Sequence, residues 1–113
     1  MKHEFEKNLH IIGDLFAYGH SQGASEYNVS ISRQKDMVVF TVKVWPVCIA
    51  EKELEKLVQN LNAPRQREVE QSYWGLSGDS QSHAELALVG MMSDETEVDY
   101  TEDVLTIIVR RHH

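Results

Sequence analysis

The longest run of β-branched and aromatic residues, Met37-Val38-Val39-Phe40-Thr41-Val42-Lys43-Val44-Trp45, predicts the central strand of the fold. Its apolar residues fall on both alternating faces, Val38, Phe40, Val42 and Val44 on one and Met37, Val39, Thr41 and Trp45 on the other. That pattern predicts partial cover on both sides. Upstream, Phe5, Leu9, Ile12 and Phe16 recur at helical spacing, Ile11 and Leu15 widen the stripe, and Glu6, Lys7, Asn8 and Asp14 face away. The spacing predicts an amphipathic helix over 4–20, weakened by Gly13 and ended by Gly19. Tyr27, Val29 and Ile31 alternate with Asn28, Ser30 and Ser32, a half-buried strand that the polar Arg33-Gln34-Lys35-Asp36 turn joins to the central one as a hairpin.

Pro46 ends the central strand, because it has no N–H for the ladder. Leu54, Leu57, Val58 and Leu61 then form one stripe of a helix over 50–61. Glu51, Glu53 and Glu55 suit its positive end, and Asn62-Ala63-Pro64 stops it. Residues 65–72 are charged and helix-permissive, and Gly75 to Ser80 read as a loop. Ser82 and Glu85 have capping-box spacing before Leu86-Ala87-Leu88-Val89-Gly90-Met91-Met92, which is apolar all round and predicts a buried helix. A second hairpin closes the chain, 95–99 with 104–110, turning at Tyr100-Thr101-Glu102-Asp103. The order predicts an α+β two-layer sandwich, one mixed sheet with the helices on one face, as a single domain over 1–113.

Composition narrows the functional classes. The chain of 113 residues is 42% hydrophobic and 26% charged, ordinary for a globular domain large enough to bury a core. Acids outnumber bases 18 to 11, a net charge of −7. That balance argues against a nucleic-acid or anionic-membrane partner, both of which need a basic patch. The acids crowd at Asp94, Glu95, Glu97, Asp99, Glu102 and Asp103. Their spacing does not fit an EF-hand, so a solvated, aggregation-resistant hairpin edge outweighs a calcium loop. The one cysteine, Cys48, cannot form an internal disulfide, and the N-terminus is too charged for a signal peptide. With no apolar run of membrane-span length, the expected location is cytoplasmic.

Candidate chemistry is sparse. No serine sits in a Gly-x-Ser-x-Gly elbow, and Cys48 reads as a small buried hydrophobe more readily than as a nucleophile. His3 and His10 share a helix face but stand two turns apart, too far to chelate one ion, and the terminal His112 and His113 carry no functional weight. The Gly75 to Ser80 loop precedes a helix as a phosphate cradle would, yet it lacks the lysine and spacing of a P-loop. Trp45, Tyr73 and Trp74 are the candidate contact residues, since Tyr and Trp are favoured anchors of protein interfaces, although packing is their commoner role.

The run Val38 to Val44, the connection ending in Cys48-Ile49, Glu51-Lys52-Glu53-Leu54-Glu55-Lys56-Leu57, and later Glu85 to Val89, Met91-Met92, an acidic hairpin and a Leu-Thr-Ile-Ile-Val strand together resemble the ATPase domain shared by sensor histidine kinases and serine-kinase anti-sigma factors. The likeness spans roughly 9–110 and lies in hydrophobic pattern and element order. It implies that family's α+β fold, but the family's functional residues are replaced. Where the family carries a Glu and, four residues on, a magnesium-binding Asn, this chain has Asp14 and Tyr18. In place of Asp-x-Gly-x-Gly stands Val44-Trp45-Pro46-Val47-Cys48, and in place of Gly-x-Gly-Leu stands Ala84-Glu85-Leu86-Ala87.

The resemblance therefore implies a catalytically silent regulatory or adaptor module that acts through a protein partner and needs no cofactor. The alternative is a diverged ATP-binding protein or kinase using Mg-ATP, with Asp14 as general base and the Gly75 to Ser80 loop as a lid. A third reading is a small α+β domain unrelated to that family, binding another metabolite.

Overall fold

A computed structural model describes residues 4–66, 68 and 83–112. Helix α1 (Glu4–Ser21) leads into a hairpin of β1 (Glu26–Arg33) and β2 (Met37–Trp45). Helices α2 (Glu51–Leu61) and α3 (His83–Met91) follow, then a hairpin of β3 (Glu95–Thr101) and β4 (Val104–His112). The four strands form one open sheet in the order β1-β2-β4-β3.

Every hydrogen-bonded neighbour in this sheet is antiparallel, which corrects the mixed sheet expected from the sequence. The long crossover from β2 to β3 does join strands of the same direction. The closing hairpin, however, folds β4 back into the space between them, so the two never pair. The predicted boundaries of β2 hold, and β2 lies inside the sheet as expected. One of its faces is buried, through Val38, Phe40, Val42 and Val44, while the outward row is only half-buried or exposed.

The core lies between that face and the helices. Opposite the four β2 residues, Arg111, Val109, Ile107 and Leu105 of β4 line the same side. Ile11, Ile12, Leu15 and Tyr18 of α1, Leu57 and Leu61 of α2, and Leu86 and Val89 of α3 close over it. Burying apolar area of this kind, at about 25 cal/mol per Å², is the main stabilising term. Gly90 lets α3 meet the end of α2, because a Cβ there would stand 2.4 Å from the Asn60 carbonyl oxygen.

Two helix expectations are corrected. Helix α1 runs through Gly19 to Ser21, and it is Gly23, with φ +95°, that takes the left-handed conformation after it. Gly19 instead permits close approach, since a Cβ there would lie 2.8 Å from Val44 Cγ1. Helix α1 is also rolled relative to its predicted stripe. Lys7, Asn8 and Asp14 are buried, while Phe5 and Leu9 are 63% and 48% exposed. The cause is a guanidinium on the core side of β4. Arg111 donates from Nε to the Met92 carbonyl (2.6 Å) and from Nη1 to Glu4 Oε1 (3.3 Å) and Asn8 Oδ1 (2.5 Å). Lys7 Nζ donates to the other oxygen of Glu4 at 3.4 Å. A buried charge requires such partners, and α1 turns its polar residues inward to supply them.

Candidate functional site

Helix α1, the end of β2 and the start of α2 converge around Tyr18, where Gly19 meets Val44 and the Glu53 charge reaches the Tyr18 hydroxyl, whereas Trp45 belongs to the outward row of β2 on the other side of the sheet. Asp14 and Tyr18, one helical turn apart on α1, are both buried, 8% and 6% exposed. Burial, and secondarily the Glu53 carboxylate, push the Tyr18 hydroxyl up to about 12, so it stays neutral across the physiological range. Trp45 is half-buried at the end of β2, and its carbonyl accepts from the Ser25 N–H at 3.1 Å. Tyr73, Trp74 and the Gly75 to Ser80 loop lie outside the described residues.

The connection from β2 to α2 is held from the opposite hairpin. Tyr100 donates its O–H to the Val47 carbonyl (3.2 Å) and accepts from the Ile49 N–H (3.0 Å), while the Val47 N–H donates to the Asp103 carbonyl (2.9 Å). Tyr100 therefore belongs to β3 and not to the turn, which contracts to Glu102-Asp103 with Glu102 at φ 59°. Pinned on both sides of Cys48, the connection sends Val47 and Ile49 into the core and Cys48 outward. The expected small buried hydrophobe is thus an exposed thiol.

This convergence is poorly suited to a phosphorylated ligand. Val47, Ile49, Tyr18 and Leu57 all belong to the core, and Gly19 seats α1 directly on Val44. The first turn of α2 carries Glu51 and Glu53, whose charges oppose an anion at the helix N-terminus. Beneath the start of α1 lies a cavity of about 120 Å³ lined by Glu4, Phe5, Asn8, Ile31, Arg33 and Val38. That is well under the roughly 300 Å³ at which small-molecule sites begin, whereas grooves of about 440 Å³ along Leu54 and Val58 of α2 and about 320 Å³ between Phe16 and Tyr27 are larger but open to solvent. Among the described residues, no group of three or more His, Cys, Asp or Glu side chains is placed to hold a metal ion, and no helix is long and apolar enough to cross a membrane.

A different surface stands out. All eight residues of β1 are exposed. Opposite Phe40, Val42 and Val44, its Ile31, Val29 and Tyr27 face the helix side of the sheet, yet none of the described helices covers them. Helix α1 sits over β2 and leaves its flank standing beside β1, with Phe5 near Ile31 and the Phe16 ring edge-on to Tyr27 at 5.4 Å. Phe5, Leu9, Tyr27, Val29 and Ile31 thus form one apolar strip on the outside of the molecule. Sequence reasoning missed it. The available signal was an apolar arc on α1 too wide for one core-facing stripe, beside a strand with no charge between Glu26 and Arg33.

No protein-family model matches this chain, and no curated protein resembles it in sequence.

Proposed function

We propose that this chain is a non-catalytic regulatory or adaptor module that works by protein–protein contact. Its frame would be like that of the histidine kinase ATPase domain, with the nucleotide cleft filled. The observation that carries the reading is the apolar strip of Phe5, Leu9, Tyr27, Val29 and Ile31, because contiguous exposed apolar surface of this kind marks interaction sites. The packing of Tyr18, Val47 and Ile49 where the resemblance would put a nucleotide supports it, as does the replacement of all three nucleotide-contacting motifs. An exposed, unbridged Cys48 is compatible with work in the reducing cytoplasm.

The test is calorimetric titration with Mg-ATP and with ADP, run beside thermal unfolding. The expected result is no binding heat and no rise in Tm at millimolar nucleotide. A ligand present at 100 times its Kd would add about 2.7 kcal/mol, which such a scan detects easily. Saturable nucleotide binding would overturn the reading in favour of a diverged ATP-binding protein, and Asp14→Asn would then be the variant to assay for phosphotransfer.

A further inference from the structure

We infer that the open edge of β1 docks a second copy of this chain, strand against antiparallel strand, about a two-fold axis through Val29; this rests on the reading of the apolar strip as an interaction surface. The backbone sets the geometry. The Gln34 N–H donates to the Met37 carbonyl at 2.7 Å, and the register pairs Glu26 with Trp45 through Arg33 with Val38. Bonded pairs alternate along an antiparallel ladder, so the even-numbered residues of β1 turn their polar groups to β2. Tyr27, Val29, Ile31 and Arg33 present theirs to the open edge. The side chains of the first three are the exposed apolar ones. Among the described residues, one strand edge therefore offers both an unfilled ladder and an uncovered apolar row.

The edge is complementary to itself, as a two-fold interface must be. With Val29 facing its own counterpart, each Tyr27 lies opposite an Ile31, an aromatic–β-branched pair of the stabilising kind. Asn28 meets Ser30 on the other face. The only charges on β1 are Glu26 at one end and Arg33 at the other. Antiparallel pairing brings each Glu26 to within one residue of the second copy's Arg33, whereas parallel pairing would set like charges together. The other sheet edge is closed to this use, because β3 exposes Glu95, Glu97 and Asp99. In the joined sheet the two α1 helices would sit about three strand spacings apart, roughly 14 Å. That exceeds the 8–10 Å of helices in direct contact. Phe5, Leu9 and Phe16 of both copies fill the difference. The footprint, about 27 by 14 Å from strand rise and spacing, belongs to the weak class of interfaces.

Sedimentation velocity on the full chain, from micromolar to hundreds of micromolar, tests this. The expected result is a reversible monomer–dimer equilibrium that Val29→Lys weakens at least tenfold without altering the circular dichroism spectrum. In a Cys48→Ser background, a short bis-maleimide should cross-link Val29→Cys into dimers and leave Lys43→Cys, on the outer face of β2, monomeric. A wild-type chain that stays monomeric at the highest concentration overturns the dimer, and so does a dimer that ignores Val29→Lys and fails to cross-link at position 29. Neither outcome touches the interaction-module reading, which falls on nucleotide binding.

Discussion

Arg111 on the last strand and Asn8 on the first helix, 103 residues apart in sequence, are joined by a hydrogen bond from the guanidinium Nη1 to the side-chain carbonyl oxygen inside the protein. With Glu4 and the Met92 carbonyl, Asn8 satisfies a cation that is 1% exposed. Arg111→Ala leaves Glu4 and Asn8 facing an empty site and should cost about 3–5 kcal/mol of stability. Asn8→Ala removes one acceptor and should cost about 1–3 kcal/mol. Urea denaturation of both single variants and the double variant measures the coupling, and additive losses would show that the contact carries no energy of its own.

The glycines of α1 should respond in opposite directions. A Cβ at Gly13 would meet nothing within 4 Å, so Gly13→Ala should stabilise by about 0.5–1 kcal/mol through helix propensity. Gly19→Ala drives a methyl group into Val44 and should destabilise by about 1–3 kcal/mol. Thermal melts of the two variants, run side by side, would sink the close-approach account if both rose.

Tyr100 links β3 to the β2–α2 connection through two hydrogen bonds of its hydroxyl. Tyr100→Phe retains the ring but leaves the Ile49 N–H and the Val47 carbonyl without that partner. It should lose about 1–3 kcal/mol. Hydrogen exchange should quicken at Ile49 while remaining slow at Phe40 in the centre of the sheet.

Stability should fall at both ends of the pH scale for identifiable reasons. Burial pushes the Glu4 carboxyl up, but the Arg111 and Lys7 charges outweigh it and hold it below the ordinary glutamate value. At Asp94 burial is likewise outweighed, by the His112 N–H and Arg65. Both groups contribute stability that is complete above the unfolded carboxylate range and is lost as pH drops through their depressed folded values. Glu4→Gln and Asp94→Asn should therefore flatten the acid limb of a stability–pH curve. Tyr18 behaves conversely. Its folded value of about 12 exceeds the unfolded one near 10, so its contribution is intact below pH 10 and disappears between 10 and 12. Tyr18→Phe should remove that alkaline loss.

Local pattern was enough to place most elements. The nine residues of β2 agree with their sequence reading, and α2, β1 and the closing hairpin agree in extent to within a few residues, although β1 is exposed along its whole length and not half-buried as expected. Their periodicity and their proline, glycine and charge signals act on neighbouring residues, where sequence is a direct guide. The acidic hairpin edge was legible for the same reason, and β3 does form a sheet edge. Three features were not legible, because each depends on partners far away in the chain. The sheet is antiparallel throughout because β4 inserts between β2 and β3. Tyr100 leaves the turn because its hydroxyl meets Val47 and Ile49 across the fold. Helix α1 rolls because Arg111 lies beneath it. Sequence alone determined that the chain carries more apolar surface on α1 and β1 than one stripe needs. Only the tertiary structure decided which part remains outside: the buried Arg111 draws Glu4 and Asn8 inward, Glu4 in turn pairs with Lys7, and the same rotation turns Phe5 and Leu9 out beside Tyr27, Val29 and Ile31.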